Sequence, residues 1–422
     1  MRSPDASAAR CCSGSVGSSS AVEPAESAES ETSVAEANSV ESSRRLMIAS
    51  NIHHARRLLQ GTMEKRIVFT GGGTAGHVLP ARAVIERLAE LPAAIETEWI
   101  GSRRGIERSM VESWGIGYRW VPSGKLRRYF SLRNFLDLFS IGLGIVASLA
   151  VLMRRRPHLL FSKGGYVSVP PVIAAWLLRI PVITHDSDLL PGLATRINAR
   201  FSQRILVAYQ SSAERLHPRY GERVVVSGNP VREAILRADR RRGLQVLGFS
   251  GRKPIVLFLG GSLGSAQINQ LVQQLLPKLR SRCDIVHQRG SHQPVEPDGP
   301  DYRSFSFVAE EYADLLAAAD VVVCRAGAGT LWEVALTARP AILLPLGTDA
   351  SRGDQIDNAR YFADRGAAIA VLGKDAVEQR VLQEIDALIS DPQRAGALGR
   401  AAKAVCGGDP AGTIVELITA LW

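Results

Sequence analysis

The sequence is poor in cysteine: Cys11, Cys12, Cys283, Cys324 and Cys406 are the five in 422 residues. Their spacing fits no metal-ligand pattern and suggests no disulfide framework, so a reducing compartment is the default. The first 46 residues do not read as a secretory leader, because they lack a basic-then-apolar pattern and a cleavage site. Those residues contain thirteen serines and no aromatic residue. They cannot bury enough apolar surface to offset their ordering entropy, and disorder is expected over 1–62. Met63 opens "MEKRIVFTGGG" and reads as an internal start. Residues 138–153 are uncharged but number only sixteen, fewer than the about 20 a spanning helix needs. They read as a buried helix whose flanks, "KLRRYFSLRNF" and "RRR", suit an anionic bilayer. Lys125, Arg127, Arg128, Arg133 and 154–156 would supply the charge, and Phe130 and Phe135 the insertion.

What is present in quantity is basic charge. Lysine and arginine exceed the acids by ten, yet residues 1–46 hold four arginines against seven carboxylates, so the remainder carries +13. Such a body calls for an acidic partner: nucleic acid, an anionic membrane, or phosphate-bearing substrates. The aromatic stacking platforms of single-strand binders are not evident, which argues against nucleic acid.

From residue 66 short apolar runs alternate with helical stretches. "RIVFT", "TEWIG", "HLLFSKGG", "PVITHDSD" and "RILVAY" read as strands of a first unit. "PIVLFLGG", "CDIVHQRG", "ADVVVCRAG" and "PAILLPLG" read as strands of a second, with a boundary near 228–253. Alternation of this kind predicts α/β architecture: two Rossmann-like domains facing across a cleft, with ligands beyond the carboxyl ends of the strands.

Three glycine turns open helices at that rim. "TGGGTAGH" satisfies G-x-G-x-x-G through Gly71, Gly73 and Gly76, but Ser102, Arg103 and Arg104 stand where a dinucleotide fold wants an acid for the ribose. His77 is expected at the helix start, facing the cleft, as a catalytic or merely capping residue. "LGGSLGSAQIN" suits a diphosphate, with Ser262 adding a hydroxyl and the following helix its N–H groups. "CRAGAGTLWEVAL" places Glu333 in the first turn of a helix, where the dipole favours its charge and where it could bond a ribose. Asp354, Gln355 and Asn358 enter a further helix and suit sugar hydroxyls or caps.

"GGGTAGHVLP", "SKGGYVSVPPVIAA", "THDSDLLPGLAT", "VSGNPVR", "LGGSLGSAQIN", "CRAGAGTLWEVA" and "RGDQIDNA" occur in order. Over about 65–420 the chain resembles the MurG family, bacterial N-acetylglucosaminyltransferases that convert lipid I to lipid II. The resemblance implies a GT-B glycosyltransferase fold. It implies an acceptor- and membrane-facing domain over 63–232, completed by 407–422, and a UDP-GlcNAc-binding domain over 233–406. Carried over by motif, donor contacts fall on Thr74, Ala75, Gly76, Asp188, Arg232, Ser262, Ala309, Ala328, Gly329, Thr330, Glu333, Asp354 and Gln355. His77 is the first choice of general base and Asp186 the second. Ala75 replaces a usual glycine, "HDSD" stands where "HEQN" is common, and Asp354 replaces a glutamine or histidine.

The expected reaction is inverting transfer of GlcNAc to the 4-hydroxyl of MurNAc, in peptidoglycan synthesis, cell shape and division. The expected partners are UDP-GlcNAc, lipid I, the anionic cytoplasmic membrane surface and other cell-wall synthesis proteins. The expected place is peripheral, on the cytoplasmic face. No D-x-D pair stands out as a metal binder, so neither metal nor cofactor is expected. Rival readings are another lipid glycosyltransferase, a UDP-sugar-binding regulator and an NADP-dependent oxidoreductase.

Overall fold

The computed structural model describes residues 65–124, 133–261, 264–290, 297–308, 310–347, 353–373 and 377–422, with the backbone alone for 133–136. The expected tail, 1–62, lies outside them, as do Lys125, Arg127, Arg128 and Phe130.

The first half carries β1 (Lys65–Thr70), β2 (Ile95–Gly101), β3 (Gly117–Trp120), β4 (Leu159–Ser162), β5 (Val182–Asp186), β6 (Arg204–Val207) and β7 (Val224–Val226). The second carries β8 (Ile255–Leu259), β9 (Asp284–Gln288), β10 (Tyr302–Phe305), β11 (Val321–Cys324), β12 (Ala341–Leu343) and β13 (Ile369–Ala370). They form two sheets ordered β3-β2-β1-β4-β5-β6-β7 and β10-β9-β8-β11-β12-β13, and every named pairing is parallel. Central strands such as "LLFS" and "IVLFL" are buried throughout, as a sheet covered on both faces requires. The edge strands β3 and β10 have no such apolar run, which is why the sequence pattern does not announce them, and β13 is only two residues long within the apolar run "AAIAVL". The arrangement is GT-B.

Helices of the first half are α1 (Leu79–Ala89), α2 (Ile106–Ser113), α3 (Arg133–Arg155), α4 (Val169–Leu177), α5 (Leu193–Asn198) and α6 (Gln210–Tyr220). Two short helices, α7 (Glu233–Leu236) and α8 (Arg240–Leu247), lead into the second half. There α9 (Ala266–Leu279), α10 (Tyr312–Ala318), α11 (Ala328–Leu336), α12 (Asp354–Ala363), α13 (Val377–Ser390), α14 (Pro392–Val405) and α15 (Pro410–Thr419) follow. Asp409 caps α15 by accepting from Gly412 N, and Pro410 takes the first helical position, where a missing N–H costs nothing. Its Ile414, Val415 and Ile418 join Ile67, Phe69, Trp99 and Phe161 in the first sheet's core, so the chain ends on the half where it began.

The strand order reverses between β1 and β4, and again between β8 and β11. Loops diverge at such switch points and leave a crevice. The turns after β1 and β4 flank the first crevice and those after β8 and β11 the second, where Arg325 reaches Ser265. That is why four glycine-bearing turns are distributed as they are.

Helix α3 departs from expectation. A buried helix was expected over 138–153, yet only 22% of Asp137–Arg155 is buried. Ile141, Gly144, Ser148 and Leu152 face inward, and a Cβ on Gly144 would lie 2.1 Å from Pro122 O. Leu138, Phe139, Leu143, Val146 and Met153 are exposed on the opposite face. The sequence is apolar all round, but only one stripe of a helix can reach the sheet. At 23 residues, about 34 Å, α3 is long and apolar enough to cross a membrane by length and composition alone. It nevertheless connects β3 to β4 within one parallel sheet, and its inward face packs on that domain.

Candidate active site

The turn after β1 is held by a carboxylate that sequence reading missed. Glu107, fully buried in the first turn of α2, accepts from Gly73 N at 3.2 Å, Ser102 N at 3.0 Å and Ser102 Oγ at 2.5 Å. A Cβ on Gly72 would lie 2.6 Å from its carboxyl carbon, so only glycine admits this clamp. With three donors on Glu107 and exposed Arg103 and Arg104 beside it, no acid remains for a dinucleotide ribose. Thr74, Ala75 and Gly76 lead through a single 3₁₀ turn, Ala75–His77, and α1 begins only at Leu79. His77 thus ends that turn and does not open the helix. Its ring lies against the turn after β4, where a Cβ on Gly165 would stand 3.1 Å from Cδ2.

At the end of β5 stand Asp186 and Asp188, spaced D-x-D, a pair that the sequence does not single out as a metal binder. Asp186 is turned into its own loop: Oδ1 accepts from Asp188 N at 3.0 Å and Oδ2 from Gly192 N at 3.1 Å. Beside it His185 is buried and donates from Nε2 to Gly228 O at 2.9 Å, which fixes its tautomer. Burial, and then the Lys163 ammonium, hold its pKa well below the ordinary value. The strand therefore ties to the linker that enters the second half.

That linker ends in Arg232, whose Nη2 donates to Glu333 Oε1 at 3.2 Å and whose guanidinium lies 5.2 Å over the Tyr312 ring. Glu333 is the sixth residue of α11, so its placement in the first turn was wrong; no acid lies there. Burial pushes its carboxyl up, while Arg232 and the Tyr312 hydroxyl hold it back. Ala328, Gly329 and Thr330 form the N-terminal turn of α11. In the turn after β8, Gly261 and Gly264 have φ of +83° and +78°, and a Cβ on Gly264 would meet Arg289 O at 2.4 Å. Ser265 caps α9 through Ile268 N. Ser262 and Ala309 lie outside the described residues. Asp354 and Gln355 begin α12; Gln355 Oε1 accepts from Leu346 N at 3.0 Å, and Asp354 Oδ1 is buried without a partner among the described residues. Asn358 is buried and donates to Ala326 O at 3.1 Å, which makes it a brace between α12 and the turn after β11.

Residues 67–207 match the glycosyltransferase family 28 N-terminal domain, and 255–407 the family 28 C-terminal domain. The chain is 46% identical over 321 residues to the UDP-N-acetylglucosamine–N-acetylmuramyl-(pentapeptide) pyrophosphoryl-undecaprenol N-acetylglucosamine transferase of Treponema pallidum. That match covers 74% of this chain and 83% of the relative. The chain belongs to the MurG family. A protein of the same printed name from Treponema denticola is 39% identical over 382 residues, 84% of this chain and 97% of its own. The crystal structure of Acinetobacter baumannii MurG superposes with a TM-score of 0.65 at 23% identity, over 84% of this chain and 99% of that one, which shows the shared fold.

Within this MurG chain the site residues fall into two groups. Thr74–His77, the turn after β4 and the Asp186 loop belong to the first half, while Arg232, Glu333 and the starts of α11 and α12 gather around the second. Besides Glu107, sequence reading missed Arg325. Its guanidinium donates to Ser265 Oγ at 2.6 Å, Gln267 Oε1 at 2.7 Å and Leu344 O at 2.9 Å, locking the β8 turn to β12. The only signal was a lone arginine inside the small-residue run "CRAGAG". Among the described residues no group of three or more His, Cys, Asp or Glu is placed to hold a metal.

Proposed function

We propose that this enzyme transfers GlcNAc from UDP-GlcNAc to the 4-hydroxyl of MurNAc in lipid I, with inversion, releasing UDP and forming lipid II. Membership of the MurG family carries the reading. The donor's diphosphate sits at the turn after β8 and the N-terminus of α9, where the helix dipole and the first N–H groups beside the one Ser265 caps favour an anion. Arg232 stabilises the charge that develops on the leaving diphosphate, and Glu333 turns to the ribose hydroxyls. These two side chains meet at 3.2 Å, so on this reading donor binding exchanges one ion pair for two substrate contacts. Asp354 and Gln355 read the sugar, and Ala328–Thr330 close on the nucleotide.

His77 takes the proton from the attacking hydroxyl as the C1–O bond to UDP breaks. Asp186 is the weaker candidate, since both its oxygens are already committed to backbone N–H groups. The test is label transfer from UDP-[¹⁴C]GlcNAc to a short-chain lipid I analogue with the full chain. Transfer into the glycolipid is expected; bound donor without transfer would overturn the acceptor assignment.

The enzyme docks peripherally on the anionic membrane where its lipid substrate lies. The exposed apolar stripe of α3 supports this, flanked by exposed Arg103, Arg104, Arg154 and Arg156. Cosedimentation with anionic vesicles, weakened by salt and by Leu143→Asp, is expected; equal binding by Leu143→Asp would move the contact elsewhere.

A further inference from the structure

Lys163, the first residue after β4, is 1% exposed. A buried ammonium is expensive, and an apolar residue of its size would fill the same space without that desolvation cost. Its backbone N donates to Thr70 O at 2.8 Å, which sets it level with the start of the glycine turn after β1. Its Nζ donates to Ser187 Oγ at 2.5 Å, and Ser187 Oγ donates onward to Asn229 Oδ1 at 2.5 Å. Asn229 is fully buried in the linker, three residues before Arg232, and its Nδ2 has no partner among the described residues. A relay of three side chains thus runs from the His77 side of the fold to the segment that presents Arg232 to Glu333.

The titratable groups facing Lys163 come from two directions. From β5 and its loop come His185, Asp186 and Asp188; the two carboxylates favour the ammonium, and its charge depresses His185. From the turn after β1 comes His77, packed on the next two residues, Gly164 and Gly165. Burial lowers the Lys163 pKa to about 8 against the pull of the carboxylates.

We propose that Lys163 is a positioning residue for glycosyl transfer: its buried ammonium, acting through Ser187 and Asn229, fixes the linker that carries Arg232 relative to the His77 turn. It touches neither substrate. Its loss is therefore expected in alignment of the two half-sites more than in donor affinity, because most of the donor contacts proposed above lie in the second half. The inference rests on the transfer reaction proposed above.

The experiment compares wild type, Lys163→Met and Ser187→Ala in transfer from UDP-GlcNAc to the lipid I analogue between pH 6 and 10. Wild-type kcat should fall on an alkaline limb near pH 8. Lys163→Met should lower kcat at least tenfold at pH 7, leave KM for UDP-GlcNAc within about threefold, and lack that limb. Ser187→Ala keeps the lysine but cuts the relay. It should lower kcat with a thermal melt close to wild type, which keeps the test decisive if Lys163→Met does not fold. Active wild type beside a Ser187→Ala enzyme with unchanged kcat, or an unchanged alkaline limb in Lys163→Met, would overturn the positioning role and leave the reaction assignment standing.

Discussion

In the first half Glu107 commits its carboxylate to donors of the turns after β1 and β2, and Asp186 to donors of its own loop. In the second half Glu333 is committed to Arg232, and Asp354 keeps a buried oxygen without a partner among the described residues. Both halves are parallel sheets with glycine turns at a switch point, so the difference is not one of fold. On the function proposed above, one half-site is built to stay as it is, and the other holds charges able to change partners when an anionic nucleotide binds. A preorganised acceptor side and an exchangeable donor side predict different kinetic signatures for the same kind of truncation.

The largest effect is expected on the fixed side. His77→Ala should lower kcat by about 10²–10⁴, the range of a general base, with KM for UDP-GlcNAc little changed. Steady-state transfer kinetics check this, and turnover within a few-fold of wild type would remove His77 from that role. On the exchangeable side, Glu333→Ala leaves Arg232 without its partner and the ribose without an acceptor. A loss of about 2–3 kcal/mol, roughly 30- to 160-fold in kcat/KM and mostly in KM for the donor, is expected. A pure kcat effect would show that Glu333 acts on the reacting centre and would collapse the contrast.

Much of this contrast was legible in the sequence, and the illegible part has physical causes. The turns after β1, β8 and β11 announce themselves because an apolar strand, small residues and an amphipathic helix follow in order. Glu107 did not, because an acid in the first turn of a helix reads as a dipole partner; only the fold shows Gly73 N and Ser102 N converging on it. Glu333 was placed one turn early, since α11 begins at Ala328 and not closer to the acid. Helix α3 reads as core because composition cannot say which faces of an apolar helix the sheet leaves uncovered. The Lys163 relay joins residues far apart in sequence, and no local pattern marks such a network.

Each half also buries a histidine in neutral form, and here the halves should behave alike. His287 lies between Asn269 Oδ1 at 2.9 Å and the Tyr302 hydroxyl at 3.1 Å, and burial lowers its pKa to about 4. His185 is depressed further by Lys163. A depressed folded pKa means that the unfolded chain binds more protons in acid. The stability from His287 is therefore present above the ordinary value of 6.5 and is lost as pH falls toward 4. About 2 kcal/mol should disappear between pH 7 and pH 5. Thermal melts across that range check it: His287→Gln should flatten the dependence, and an unchanged slope would assign the acid sensitivity to His185.

The smallest effect tests whether the fixed side is fixed by its glycines or by its clamp. Ala75 departs from the glycine that the family resemblance implies, yet it is not among the residues with positive φ; Gly73, at +89°, supplies the one left-handed step between Gly71 and His77. A methyl group is therefore compatible with the turn. Ala75→Gly should return nothing to activity, with kcat within twofold. It should cost about 0.5–1 kcal/mol of stability, because the unfolded chain gains freedom that the folded turn does not need. Paired melts and transfer assays at one pH distinguish the outcomes. A several-fold gain in kcat would mean that the turn must open beyond the geometry Glu107 holds, and the first half would then be no more rigid than the second.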